Sequence, residues 1–328
     1  MSRVLLLGAL PTLLFAQTTQ ASPDQEIRNL LEEDQAARQG VLSPTLAQDD
    51  AARLARARSL VNADGFQDAH SYDAAATLFQ HSAQLQDHLI ARELALVACF
   101  RRATYSGMPA LAEDRYLVKL GQPQRFGAHF MGTGADAKPA PIQESGDHAV
   151  TDALRFDYLQ PTLKQAKTEG LPFLQSGQAF SQALPRLRAR MKPDAKGPEW
   201  ITDATASPSA EELRKLESSK ALDRPKLRAR ILALYHEDKL LIPSDYRKAS
   251  ILLLSAAGCP QDFLLANELA AVAIMRLDEA AWKPFAESWD RFAQALGQPA
   301  RYGTLPGQSM DPSVIPPVTR LLASRTQK

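Results

Sequence analysis

The sequence predicts an all-α protein built from two pseudo-symmetric helical bundle units that arose by internal duplication. Three observations carry this. First, the chain repeats itself. DRYLVKLGQPQRFG (Asp114 to Gly127) matches DRFAQALGQPARYG (Asp290 to Gly303) at eight of fourteen positions, offset 176. QDHLIARELALVA from Gln86 matches QDFLLANELAAVA from Gln261 at offset 175, and Tyr72-Asp73-Ala74-Ala75 faces Tyr246-Arg247-Lys248-Ala249 at offset 174. Second, apolar residues in these blocks recur at helical spacing. Third, the alternation of a half-buried strand appears nowhere for more than a few residues.

A period near 175 is far longer than the ~20–50 residues of a solenoid repeat, so it marks a doubled domain. Unit 1 is assigned to residues 24–170 and unit 2 to 208–328. Residues 171–207, rich in Gly and Pro, read as an irregular linker with one short helix around Phe180 to Arg190. Unit 1 opens with charged amphipathic helices over about 25–38 and 45–62. A helix over Tyr72 to Ala83 follows, with its counterpart over Tyr246 to Ala257, preceded in unit 2 by a helix from Pro225 to His236. RARSL at Arg56 and RARIL at Arg228 form a weaker echo, as do Val150–Leu154 and Val318–Leu322.

The central helix of each unit carries Leu89, Leu94 and Val97, or Leu264, Leu269 and Val272, on one side. Ala91, Ala95 and Ala98 make a second stripe, reproduced by Ala266, Ala270 and Ala273. Small residues at that spacing let another helix approach closely. Asp87 and Asp262 stand where a carboxylate caps orphan N–H groups. The following helices run over about Pro109–Leu120 and Glu279–Leu296. Each ends in Leu-Gly-Gln-Pro, a glycine that permits a left-handed turn and a proline that prevents continuation.

The first residues read as a secretory signal peptide over 1–21. Arg3 precedes a twelve-residue apolar run from Val4 to Phe15, broken by Pro11, with small residues at Ala16 and Ala21. That run is too short to span a bilayer, so the mature chain is expected to have no transmembrane segment and to be secreted or periplasmic. Thirty-eight basic and thirty-seven acidic residues leave a net charge of +1, without the basic surplus of a nucleic-acid binder. Two cysteines, Cys99 and Cys259, make no disulfide framework.

Unit 1 resembles an exported bacterial family known as a domain of unknown function. The residues that carry the resemblance are Gln80-His81, Asp114-Arg115-Tyr116 and Gly121-Gln122-Pro123-Gln124-Arg125-Phe126-Gly127, within about 28–130. The pattern's Thr is Ala128 here, while unit 2 retains Thr304 but has Leu254-Ser255 for Gln80-His81 and Ala300 for Gln124. The resemblance implies a helical fold and export. It implies no reaction.

Asp114-Arg115 and Asp290-Arg291 present a carboxylate beside a guanidinium. Either they serve a polar ligand, or they fix helix register, with Arg115 bonding Glu93 and Arg291 bonding Glu268. Five of the six histidines, His70, His81, His88, His129 and His148, fall in unit 1. His81, Glu93, Asp114 and Arg115 are the candidate catalytic groups, and His81 and His88 the candidate metal ligands, although no HExxH or CxxC supports a metal. Gln122, Arg125 and Phe126, with Gln298, Arg301 and Tyr302, form polar-aromatic loops suited to binding. In the alternative, the rings pack on their own unit and the arginines cap helix carbonyls. No nucleophile elbow, phosphate loop or dinucleotide fingerprint occurs, and no cofactor is expected. Three functional readings follow: a non-catalytic module binding an unknown protein or small molecule between its halves; a hydrolase-like enzyme using His81 with Asp114 or Glu93; and a metal-binding protein of unit 1.

Overall fold

A computed structural model describes residues 21–39, 45–101, 105–132, 137–170, 178–189, 207–219 and 223–323. The expected signal peptide, all but its last residue, and most of the expected linker over 171–207 lie outside the described residues. The protein is all-α. Helices α1 (Pro23–Gln39) and α2 (Leu46–Asn62) lead into α3 (Ala69–Gln80), α4 (Leu85–Phe100) and α5 (Met108–Lys119). Short helices α6 (Asp152–Asp157) and α7 (Leu163–Thr168) precede α8 (Gln178–Ala189) and α9 (Ala210–Ser218). The second segment comprises α10 (Arg224–His236), α11 (Pro243–Ala256), α12 (Pro260–Met275), α13 (Trp282–Ala295) and α14 (Pro316–Ala323). Two-residue strands, Phe130–Met131 and Lys138–Pro139, pair antiparallel, with Phe130 opposite Pro139. No helix among the described residues is long and apolar enough to cross a membrane.

α4 and α12 are buried on every side over most of their length, continuously from Asp87 to Cys99 and from Leu264 to Met275. A helix without a wet face sits in the middle of the packing. α4 lies between α3 and α5, and α12 between α11 and α13, while α4 and α12 also meet each other. All six alanines of the two stripes are fully buried, as close approach requires. The apolar side chains of both segments form one continuous core.

The helix ends follow from their residues. The Asp262 carboxylate accepts the N–H groups of Gly258 (2.8 Å) and Cys259 (3.2 Å), capping α12. Asp87 is used differently, accepting the Ser82 hydroxyl at 2.6 Å and pairing with Arg58. Gly121 (φ 73°) and Gly297 (φ 69°) end α5 and α13. The next N–H groups, of Gln122 and Gln298, return to Leu117 O (2.9 Å) and Ala293 O (2.8 Å), satisfying carbonyls that would otherwise be orphaned. One sequence echo is in the wrong register. RARSL and RARIL match at offset 172. The structure instead aligns Asp64 with Asp238, both at φ 53°, and buried Ala57, Leu60 and Val61 with Ile231, Leu234 and Tyr235, at offset 174.

The loops beyond α5 and α13 are folded around a carboxylate. Asp114 accepts the N–H groups of Arg125 (2.7 Å), Phe126 (3.0 Å) and Ala128 (2.8 Å). Asp290 accepts those of Arg301 (2.8 Å), Tyr302 (2.9 Å) and Thr304 (2.8 Å). So held, each loop drives its arginine inward and across to the other segment. Arg125 donates Nε (2.5 Å) and Nη2 (2.9 Å) to the two oxygens of Glu268 on α12. Arg301 donates the same two nitrogens to Glu93 on α4, again at 2.5 and 2.9 Å. The expected links of Arg115 to Glu93 and Arg291 to Glu268 do not form. Arg115 donates to the Gln80 carbonyl, and Arg291 pairs with Glu287 at 2.8 Å. The reason is geometric: Glu93 and Glu268 are taken by bidentate partners from the opposite half. Nearby, the buried Arg92 pairs with Glu113 at 2.5 Å and lies over the rings of Phe285 and Trp289. Burial raises Glu113 well above the carboxylate range; Arg92 opposes this and Glu268 adds to it.

Removing one partner of a buried pair strands a charge and costs about 3–5 kcal/mol, whereas replacing both with apolar groups is often nearly neutral. Urea unfolding is therefore expected to show a loss of about that size for Arg125→Met, and a much smaller loss for Arg125→Met combined with Glu268→Leu. Additive losses would contradict the pairing.

Candidate functional site

The residues proposed from sequence divide into three groups. Arg125, Phe126, Arg301, Tyr302, Glu93 and Asp114 are buried and spent on the frame. The Phe126 ring lies 4.4 Å from that of Tyr158, and Tyr302 lies 5.8 Å from Phe285. The arginines do not cap helix carbonyls; they bind the opposing glutamates. Gln122 is exposed and Gln298 half-buried. His81 turns toward α1, with Nδ1 3.0 Å from both Asp34 Oδ2 and Arg38 Nε. His81 and His88 join no set of three metal ligands among the described residues.

Gln122 and Arg125 do line a groove between the two segments, with a volume of about 250 Å³. Gln143 and Gln261 supply further amides, and Leu264 and Phe292 an apolar wall. Arg125 forms part of the wall with its guanidinium already committed, Nη1 donating to Gln143 Oε1 at 2.7 Å.

The third group is Arg115 and His88, and it is unlike the others. Their positions in the second segment are Arg291 and Phe263. There the guanidinium carbon lies 6.0 Å from the Phe263 ring centroid and the charge is met by Glu287. In the first segment the ring is replaced by His88 and the carboxylate by Leu111. Arg115 is left half-buried, donating to the Gln80 carbonyl and meeting no carboxylate among the described residues; its Nε, like that of Arg291, has no hydrogen-bond partner there.

The groups around Arg115 are unmet too. Among the described residues, His88, 1% exposed, has no partner for either ring nitrogen, and the buried Gln80 has none for its Oε1. Nδ1 of His129 is also unpartnered among the described residues. His129 is placed by Gln124, which accepts its N–H at 2.9 Å and donates to its carbonyl at 3.1 Å. Lys119 stands at the edge, donating to the Ala83 carbonyl at 2.6 Å. Burial, then the positive charges of Lys119 and Arg115, push His88 down to about 4. Burial, then Arg115 and Lys119, do the same to His129. Both imidazoles are therefore neutral near pH 7, each offering one donor and one acceptor. The second segment has Leu254, Phe263, Ala295, Ala300 and Leu305 at the positions of Gln80, His88, Lys119, Gln124 and His129. A buried polar group left unmet costs about 1–3 kcal/mol, so several in one place require an explanation such as a ligand or ordered water.

His129 and Lys119 were not selected from the sequence as site residues. The signal was present in the apolar residues that stand at the matching positions of the second segment. Comparisons of the chain with protein-family models, with curated proteins and with solved structures find no match.

A histidine whose folded pKa lies below its unfolded value takes up its proton later in the folded state. Its contribution to stability is present above about pH 6.5 and is lost as pH falls toward about 4. Asp114, pushed up to about 6 by burial, works in the opposite sense, so the informative quantity is a difference. His88→Phe is expected to flatten the fall in melting temperature between pH 6.5 and 4 relative to the unaltered protein. Parallel curves would show that His88 does not titrate in this way.

Proposed function

We propose that the protein is an exported, non-catalytic binding protein whose ligand is a small anion, a carboxylate or phosphate group, held by the first segment at Arg115. One observation carries the reading: Arg115 is a half-buried guanidinium that meets no carboxylate among the described residues, in the midst of unmet polar groups. Arg38, the neighbouring charge, is also positive, and with burial it lowers the Arg115 pKa. A guanidinium in such surroundings is stabilised by an anion that accepts its N–H groups in pairs. The neutral imidazoles of His88 and His129 add a donor each without adding charge, and Lys119 adds a cation at the rim.

Two copies of an ancestral unit, one keeping these groups and one losing them to apolar residues, fit a protein in which one half binds and the other supports. The resemblance to an exported bacterial family agrees with the leader sequence and assigns no reaction. The hydrolase-like reading requires His81 to face a nucleophile, and its placed nitrogen instead faces Asp34 and Arg38. The Ser82 hydroxyl beside it donates to Asp87.

Titration calorimetry at pH 7 and low salt, with inorganic phosphate, sulfate, acetate and citrate in separate arms, tests the reading. Phosphate or a carboxylate is expected to bind, and Arg115→Gln to weaken binding about tenfold or more, the scale of a lost charge-assisted pair. Arg291→Gln is expected to leave it unchanged. Absence of binding in every arm, or equal losses from both substitutions, would overturn it.

A further inference from the structure

A second constellation lies where the segment before α6 meets the N-terminus of α12. His148 Nε2 is 2.7 Å from Asp262 Oδ1 and 3.8 Å from Cys259 Sγ, and Cys259 Sγ is 3.5 Å from Asp262 Oδ2. An imidazole nitrogen, a thiol and a carboxylate thus present ligand atoms within 4.8 Å of one another, drawn from both halves of the chain. Donors around a tetrahedral zinc-class ion, at bond lengths of about 2.0–2.3 Å, stand roughly 3.3–3.8 Å apart. The His148–Cys259 distance already has that length. The His148–Asp262 distance would open by roughly half an ångström on that geometry.

The rest of the surroundings suit a metal as well. Asp262 Oδ2 is occupied in capping Gly258 and Cys259, which leaves Oδ1 as the ligand and fixes the orientation of the carboxylate. The N-terminus of a sixteen-residue helix favours the negative charge of the Asp262 carboxylate. Cys259 is half-buried and forms no disulfide. It lines an opening of about 480 Å³ together with Arg224, Arg228 and Gly258.

One group opposes the metal, and it identifies the mechanism of exchange. Arg228 donates Nε to Asp262 at 2.8 and 3.0 Å, and its Nη2 is 2.9 Å from His148 Nε2. The guanidinium therefore holds the place of a cation. Its Nη1 is also 3.5 Å from the exposed Asp147 carboxylate, a second partner away from the cluster. We propose that His148, Cys259 and Asp262 bind one divalent ion of the zinc class, with Arg228 displaced to Asp147 and a fourth position open to the recess. The thiol proton passes to solvent as the sulfur–metal bond forms.

The probe is Co²⁺ added to the reduced, full-length protein, followed by its visible bands and by the near-ultraviolet thiolate-to-cobalt charge-transfer band. One equivalent is expected to produce that band, and Zn²⁺ to abolish it. Cys259→Ser is expected to remove the charge transfer, and His148→Ala to weaken binding tenfold or more. Arg228→Ala is expected to tighten it tenfold or more, because the competing cation is gone. Circular dichroism melts establish that each variant is folded. The absence of a charge-transfer band in both the unaltered protein and Arg228→Ala would overturn the proposal, as would a band that persists in Cys259→Ser.

Discussion

Two buried ion pairs run in opposite directions between the halves of this protein, Arg125 to Glu268 and Arg301 to Glu93, and the remaining structure is arranged around them. Each joins a loop of one segment to the central helix of the other, with the same two guanidinium nitrogens and the same distances. Taking four charges out of water is costly, and the cost is met only where the geometry is bidentate and the partners are held. The holding is done by Asp114 and Asp290, whose carboxylates gather three backbone N–H groups each and leave the arginine side chain a single direction in which to extend. The alanine stripes permit α4 and α12 to be packed closely by their neighbours. Helix ends, loops and core therefore serve one requirement, the reach of two arginines across the centre.

Much of this was legible in the residues. The all-α class, the central helices and the Leu-Gly-Gln-Pro endings follow from spacing and turn chemistry that act within a few residues. The partners of Glu93 and Glu268 do not. In a repeated sequence, a glutamate of one copy sees two arginines of identical local context, one in its own half and one in the other. Nothing in the alignment of Glu93 with Glu268, or of Arg125 with Arg301, says which is nearer. A link of Arg115 to Glu93 would close a pair within one segment, and the folded chain closes its pairs between segments. The echo at Arg56 departs in another way, in its register and not in its helix. The letters match at offset 172, whereas the buried positions match at 174, where Arg56 faces Arg230 and each pairs with a glutamate, Glu26 and Glu212.

The repeat was more informative where it broke. Positions that pack the frame are kept in both segments, so Asp114 and Asp290 do the same work. Gln80, His88, Lys119, Gln124 and His129 have apolar counterparts, and Leu111 stands where Glu287 neutralises the second arginine. The second segment shows that this region can be built with an apolar ring and an ordinary surface ion pair. The first carries instead a half-buried cation and unsatisfied imidazoles. A protein at marginal stability retains such groups when they do something other than pack.

The crossed pairs and the polar cluster are connected through one short loop. Arg125 and Phe126 hang from Asp114, and Gln124, the residue before them, grips the backbone of His129 at both its N–H and its carbonyl. Arg115 follows Asp114 directly on α5, so the carboxylate that organises the loop and the guanidinium that meets no carboxylate among the described residues are neighbours on one helix. An anion at Arg115 would therefore bear on the same helix and loop that deliver Arg125 to Glu268. Both elements are pinned by buried hydrogen bonds, and binding there would meet a site already in position, with little ordering left to oppose it.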